Sequence, residues 1–482
     1  MALSNEVRLL DRKWQAGTGW PRRLEWMEIK NLRGWVGQRI DFSFPIVAIV
    51  GENGSGKSTV LQAAASIYGP AGDGQGSWYA SEFFPDTAWE KVTVAEIKFG
   101  YMEGPEHKDG SVRKPTTRWL GNSDRPSRSV AYIDLSRIQP VSARVGYAKI
   151  AKTARREVSA QDFNPAQVRR LSGVMGRTYD AAKMAICEVD DKREIPVLIK
   201  DGRAYSGFHQ GSGETTVAEL LQVDLPKYSL ILIDEIESSL HPRAQRRLIR
   251  DLAEKCRERE AQIILTTHSP YILEELPFKA RNYILETQGT KKLMIGVSPQ
   301  FAMTQMDDEQ HPECELYVED PAAKTMLGEI LAAHARGLFP RCSIVPYGAA
   351  SVGYALGQMA AANRFPKPTC VFLDGDNDGA PGCILLPGGD APERVVFNAL
   401  SAARFRNLWT RIGRDISWVI DACTQAMTLG DHHEWVKVAA TQLLCGGDIL
   451  WQAMCAEWAA TLTPETVAPI VAAIEDGLAS RA

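Results

Sequence analysis

Apolar residues fall into short runs and alternations that mark strands in the first part of the chain. Leu24 to Ile29 reads as a strand, Ile40 to Phe44 alternates, and Ile46 to Val50 is an unbroken apolar run closed by glycine, the pattern of a buried strand feeding a turn. Residues 70–79 and 103–129 are rich in Gly, Pro, Ser and charge and read as loops, whereas 158–183 reads as helical. Leu230 to Ile233 is a second apolar strand, ending in paired acids. Arg243 to Glu260 is a charged amphipathic helix, and Ile263 to Thr267 is a third strand. This alternation predicts a parallel α/β sheet. The polar, aperiodic stretch 304–313 predicts a boundary, after which a new α/β unit begins. Its strands are expected at 315–318, 342–346, 369–373 and 383–386, and its helices at about 321–336 and 351–363. Beyond Pro392 the pattern is helical. The expected domains are 1–303, 314–400 and 401–482.

A chain of 482 residues is too long for one core. Its 55 basic and 59 acidic residues give a net charge of -4, so no whole-chain positive field advertises a polyanion partner. Nine scattered cysteines without a C-x-x-C pair argue against a disulfide framework and a zinc ribbon, and point to a reducing, cytoplasmic setting. No signal-like N-terminus and no long apolar run is present, so a membrane is not an expected partner.

Gly51-Glu-Asn-Gly-Ser-Gly-Lys57-Ser58 matches G-x-x-x-x-G-K-[ST] between a predicted strand and a predicted helix. Backbone N–H groups of Asn53, Gly54, Ser55, Gly56 and Thr59 are candidates to cradle phosphates. Lys57 would reach the β/γ-phosphates of ATP, and Ser58 would ligate Mg²⁺. Asp234 is placed to hold the ion through water and Glu235 to polarise the attacking water. Together with these motifs, Gln210-Gly-Ser-Gly-Glu214 resembles the signature motif of ABC-type ATPases. Ser238 to Pro242 resembles their D-loop and His268 their switch histidine. The resemblance spans residues 24 to about 290 and is to soluble members acting in DNA metabolism. It implies a homodimer or higher oligomer in which Ser212 and Gly213 contact the nucleotide of the partner subunit. The signature departs from the family by lacking a serine directly before paired glycines.

In the second unit, carboxylates collect where parallel strands end: Glu319 and Asp320 after the first, Asp374, Asp376 and Asp378 after the third. Such hard oxygen ligands suit Mg²⁺ or Mn²⁺ and phosphodiester chemistry. The arrangement resembles the Toprim domain, and an ABC ATPase followed by Toprim resembles the OLD (overcoming lysogenization defect) nucleases of anti-phage defence. Carried over, Glu319 is a general acid/base and metal residue, and Asp374 and Asp376 are metal ligands. The chain departs from that pattern at Asp320, where a glycine is common, and at Ala323, where the family has a further aspartate. Septu-type defence ATPases, which pair with a separate HNH nuclease, are a related resemblance.

Asp431-His432-His433-Glu434 could be read as a metal site, but adjacent histidines do not share one helix face, which favours a core or partner-binding role. Two basic stretches, Lys149/Lys152/Arg155/Arg156 and Arg243/Arg246/Arg247/Arg250, read as solvated helix faces and only loosely as DNA contacts. The expectation is therefore an α/β protein: an ABC-type P-loop ATPase domain, a Toprim-like parallel α/β domain and a helical C-terminal segment. Its function would be an OLD-like DNA nuclease or DNA sensor in defence. The alternatives are an ATPase that holds a separate nuclease or toxin effector, and a DNA-repair ATPase.

Overall fold

The computed structural model describes residues 3–72, 76–134, 141, 146–222, 226–287, 289–307 and 311–479. The expected loop over 70–79 and boundary over 304–313 lie partly outside them. Two compact units divide after Met306.

The first unit is built on a six-stranded sheet in the order Thr290–Ile295, Arg281–Thr287, Ile46–Gly51, Gln262–Thr266, Leu230–Ile233, Val130–Ile133. Neighbours are parallel except the antiparallel edge pair Arg281–Thr287 and Thr290–Ile295. Ile46–Gly51, Leu230–Ile233 and Gln262–Thr266 are buried at every position, which explains their unbroken apolar runs: a strand covered on both faces has no polar alternation. Helix Lys57–Ser66 is likewise buried nearly throughout.

An antiparallel sheet, Trp35–Asp41, Arg22–Leu32, Ala95–Glu103, Glu106–Lys114, packs into the same core. Gln262 ties it to the central sheet. Its amide donates to Leu24 O and accepts from Leu24 N, both at 2.8 Å, and the same Oε1 accepts from the buried Arg128 guanidinium at 3.1 Å. These bonds offset the cost of burying the amide.

Two expectations fail here. Residues 103–129 hold the strand Glu106–Lys114, whose sequence EHKDGSVRK has little apolar alternation because the strand is an edge. Residues 158–183 are not one helical stretch. They form strand Glu157–Asp162, helix Pro165–Met175 and the start of strand Ala181–Cys187, part of a second antiparallel sheet completed by Asp190–Lys200 and Arg203–Ser206. Every residue of Glu157–Asp162 is exposed, so burial imprinted no period on it. The helix is announced locally: Asn164 Oδ1 accepts from Ala166 N and Gln167 N, with Pro165 at the first helical position.

The second unit has a fully parallel sheet ordered Cys342–Pro346, Cys314–Val318, Thr369–Leu373, Cys383–Leu385. Helices Pro321–His334 and Ala350–Ala361 follow the first two strands. The expected boundary at 400 falls inside helix Pro392–Ala402, and the helices beyond it share the sheet's core rather than forming a region of their own. Trp435, Trp451 and Trp458 are buried there with Leu327, Leu331 and Phe397, and Trp451 Nε1 donates to Ala322 O at 3.1 Å. Trp418 is exposed.

Candidate functional site

Strand Ile46–Gly51 delivers the chain to the glycine-rich loop, and helix Lys57–Ser66 carries it away. Gly56 adopts φ +96°, and a Cβ there would lie 2.6 Å from Trp35 Nε1, so only glycine passes the chain into the helix beside this indole. Asn53 and Gly54 are exposed at the loop's crest, Ser55 and Thr59 are buried, and Ser58 is half-buried at the helix start. Lys57 is buried; its Nζ donates to Gly51 O and Glu52 O, each at 2.9 Å. Burial pushes its ammonium below the ordinary lysine range, while Glu235, Asp234 and Glu237 pull it back up.

Beside this loop, strand Leu230–Ile233 ends at the buried Asp234. Thr266, at the end of the neighbouring strand, organises the turn: its hydroxyl donates to Asp234 Oδ1 at 2.6 Å and accepts from Glu235 N at 2.7 Å. Glu235 has φ +45°, an uncommon conformation for a side-chain-bearing residue and the kind of local strain that collects at functional sites. Its Oε2 accepts from Ser238 Oγ at 3.1 Å. His268 is lowered in pKa by burial and by Lys57, against Glu235 and Asp234, so the neutral imidazole is favoured. Its Nε2 is buried without a hydrogen-bond partner among the described residues.

Ser212 is exposed at the start of helix Ser212–Gln222, and Gly213 lies against the chain's own segment 238–242: a Cβ there would meet Ser239 O at 2.7 Å. Glu214 is buried and accepts from Tyr179 OH at 2.6 Å and Tyr205 OH at 3.1 Å, which anchors the helix start.

Two residues of this site escaped the sequence reading. Glu237 is half-buried, its Oε1 accepts from His268 N at 2.7 Å, and desolvation raises its carboxyl above the ordinary range. Its place two residues after Glu235 was a signal that could have found it. Lys291, on the edge strand Thr290–Ile295, is also buried; its Nζ donates to Ser55 O at 2.9 Å and to Glu286 Oε2 at 3.1 Å. Nothing local in its sequence marks that role.

In the second unit, Glu319 and Asp374 follow adjacent parallel strands. Asn377 Nδ2 donates to Glu319 Oε2 and Asp376 Oδ1, both at 3.2 Å, and so draws the two acids together. Asp374 is buried, its Oδ1 has no partner among the described residues, and burial first, then Asp320, Glu319, Asp376 and Glu393, push its pKa to about 8. Glu319 is raised as well, chiefly by desolvation. Asp320 serves locally: its Oδ1 caps helix Pro321–His334 by accepting from Ala323 N at 2.7 Å.

The second basic stretch is partly engaged in ion pairs within the chain, whereas Lys149, Lys152, Arg155 and Arg156 of the first are exposed. Arg246 pairs with Glu274 and Glu275, Arg250 pairs with Glu275 through Nη2 at 2.6 Å, and the backbone N–H groups of Arg155 and Arg156 bind Glu188.

Ser55 Oγ and His268 Nε2, both without a hydrogen-bond partner among the described residues, the open space around Gly54 and the oxygen donors Ser58 and Asp234 form a cradle that fits a nucleoside triphosphate with a divalent ion. Fold and site together define a P-loop nucleoside triphosphatase. Residues 27–83 match the family "AAA domain" and residues 215–274 match "AAA domain, putative AbiEii toxin, Type IV TA system". The first stretch carries the phosphate loop, the second Asp234, Glu235 and His268. The chain is accordingly an ATP hydrolase, with ATP as its nucleotide and Mg²⁺ as the usual accompanying ion.

The chain is similar to Protein ea59 of Escherichia phage lambda, at 23% identity over 247 residues, 48% of this chain and 47% of that protein. It is also similar to "Retron Vc95 probable ATPase" of Vibrio cholerae serotype O1 biovar El Tor, at 30% identity over 124 residues, 23% of this chain and 24% of that protein. It therefore spans about half the length of the first relative and about a quarter of the second. Among solved structures, the SMC head domain from Thermotoga maritima is 18% identical with a TM-score of 0.35, covering 57% of this chain and 98% of that one. The SmcHead bound to the C-winged helix domain of ScpA is 18% identical with a TM-score of 0.38, covering 58% and 99%. Among the described residues, no helix is long and apolar enough to cross a membrane.

Proposed function

We propose that the chain couples ATP turnover to a Toprim-like, OLD-related acidic site that cuts or senses DNA in anti-phage defence. The observation that carries this reading is the second unit's acidic edge. There Glu319, Asp374 and Asp376 gather at the C-terminal ends of parallel strands, with a buried oxygen on Asp374 that has no partner among the described residues. Like-charged carboxylates so placed either bind protons or bind a cation, and an all-oxygen set suits Mg²⁺ or Mn²⁺. Such an ion would supply an activated water and a stabilised leaving oxygen for phosphodiester cleavage. Glu319, raised toward neutrality by its surroundings, is suited to exchange a proton there. The similarity to a retron ATPase supports the defence setting.

In the ATPase unit, Lys57 holds the β/γ-phosphates and Ser58 with Asp234 hold Mg²⁺. Glu235 orients water, and neutral His268 offers a ring nitrogen to the transferring phosphoryl group. Ser212, exposed at a helix N-terminus, is available to the nucleotide of a second copy, so the active form is a homodimer or a higher oligomer.

One observation favours the second reading, an ATPase that holds a separate nuclease or toxin effector. Ala323, where the resemblance calls for another acid, is buried in the core, and Asp320 is occupied as a helix cap. That leaves a reduced ligand set. The test is metal-dependent DNA cleavage by the purified chain. Cutting that Glu319→Gln and Asp374→Ala abolish supports the nuclease reading, while no cutting together with unchanged defence by both variants in cells supports the effector-holding reading.

A further inference from the structure

The second unit carries another group of potential ligands, separate in chemistry from the oxygen-only acidic edge. His432 and His433 occupy the 3-10 turn His432–Glu434, which Asp431 caps by accepting from His433 N at 3.0 Å. The tighter turn does what an α-helix would not: it brings the two neighbouring rings side by side, with centroids 4.0 Å apart. The expectation that favoured a core or partner-binding role for these histidines assumed α-helix geometry, which this turn does not have.

Opposite them stands Glu393, in the first turn of helix Pro392–Ala402 and only 5% exposed. Its Oε1 meets His433 Nδ1 at 3.4 Å, and its Oε2 is buried without a hydrogen-bond partner among the described residues. One nitrogen from each histidine and one oxygen from Glu393 lie within 4.8 Å of one another.

We propose that Glu393, His432 and His433 bind a divalent transition-metal ion of the zinc class. Two imidazoles and a carboxylate form the donor set such ions favour, whereas Mg²⁺ and Ca²⁺ prefer oxygen alone. Ligand atoms around a tetrahedral zinc ion sit about 3.3 Å apart, given bonds of about 2.0–2.2 Å, so a small inward rotation completes the site. His433, whose side chain is 64% exposed, is free to make that rotation. The ion would satisfy the orphaned Glu393 oxygen and neutralise a carboxylate that otherwise repels Asp374. Three protein ligands leave a fourth position. Glu393 and His433 line a cavity of about 1000 Å³, so a water or a donor from a bound molecule can take that position. The proposal does not depend on whether the acidic edge cuts DNA.

The test uses the full chain, stripped of metal, dialysed against Zn²⁺ in excess Mg²⁺ and assayed for retained zinc, with Co²⁺ absorption as the geometric probe. Wild type should retain one zinc per chain. Ligand loss should weaken binding at least about tenfold, the lower range seen on removing even outer-sphere partners of a metal site. His433→Gln, at an exposed position, is the variant expected to fold normally, and His432→Ala/His433→Ala is the stronger one. Asp374→Ala should keep the zinc; its loss there would assign the ion to the acidic edge and overturn the proposal. A thiolate charge-transfer band in the Co²⁺ spectrum would assign it instead to buried thiols such as Cys314, Cys342 and Cys370. No retained zinc in wild type, or equal retention in the double histidine variant, would likewise overturn it.

Discussion

Lys291 makes a demanding test of how the nucleotide loop is held. Its Nζ reaches from an edge strand to donate to Ser55 O at 2.9 Å, and its stem passes close to Gly34 and Gly56. Replacing it with Met keeps the packed stem but leaves the loop carbonyl without its charged donor. A hydrogen bond to a charged group contributes about 1.5–3 kcal/mol, and the acceptor abandoned here is buried. If that energy holds the loop in its phosphate-binding shape, ATP affinity should fall about 10- to 100-fold, at about 1.4 kcal/mol per decade. The other partner, Glu286, has a side chain 47% exposed, so Glu286→Gln should weaken binding by about fivefold at most. Titration of each variant with a fluorescent ATP analogue measures both effects, with a thermal melt to confirm that the chain remains folded. A folded Lys291→Met chain that binds ATP within about twofold of wild type would show that the loop needs no such support and refute the reasoning.

Three further outcomes follow from the same geometry. Lys57→Ala should abolish ATP binding while Glu235→Gln keeps it and turns over far more slowly; equal loss of affinity in both would contradict that division of roles. Mixing Lys57→Ala chains with Ser212→Arg chains should recover part of the ATPase activity missing from each, and verified mixed dimers without recovery would exclude a shared site. Ser212 is preferred to Gly213 for this purpose because a side chain at 213 would strike the chain's own Ser239 carbonyl. Finally, Asp374 binds its proton up to about pH 8 in the folded chain, well above an unfolded aspartate, so without divalent ions it costs stability increasingly as pH rises from about 4 to 8. Asp374→Asn should therefore raise the melting temperature most near pH 8 and least near pH 4, and an advantage independent of pH would count against the raised pKa.

What could be read in the sequence follows what burial writes into it. The central strands Ile46–Gly51, Leu230–Ile233 and Gln262–Thr266 are covered on both faces, so their composition is dictated and their ends place Lys57, Asp234 and His268 in order. In the second unit only Thr369–Leu373 is covered nearly throughout, and the other parallel strands, partly exposed, were legible from their short β-branched and apolar runs, which placed Glu319 and Asp374 at strand ends. The exposed strand Glu157–Asp162 and the polar edge Glu106–Lys114 bury too little to acquire a period, so local pattern could not find them.

The residues missed at the sites were hidden differently, by topology rather than by weak pattern. Lys291 reaches the loop at Ser55 because Arg281–Thr287 pairs with Ile46–Gly51 and turns back into Thr290–Ile295; only that strand order makes a lysine 236 positions away a neighbour. Glu393 meets His433 across 40 positions because helix Pro392–Ala402 and the turn His432–Glu434 close over one core. In both cases the sequence holds an ordinary charged residue, and the fold alone turns it into a buried donor or a buried, half-satisfied acceptor. The phosphate loop could be recognised because its chemistry needs consecutive residues at fixed spacing. A cluster assembled from separate elements needs no spacing at all. Its mark is instead energetic: a buried polar atom such as Glu393 Oε2 or Asp374 Oδ1 left without a partner among the described residues, which a folded chain rarely tolerates unless something else completes it.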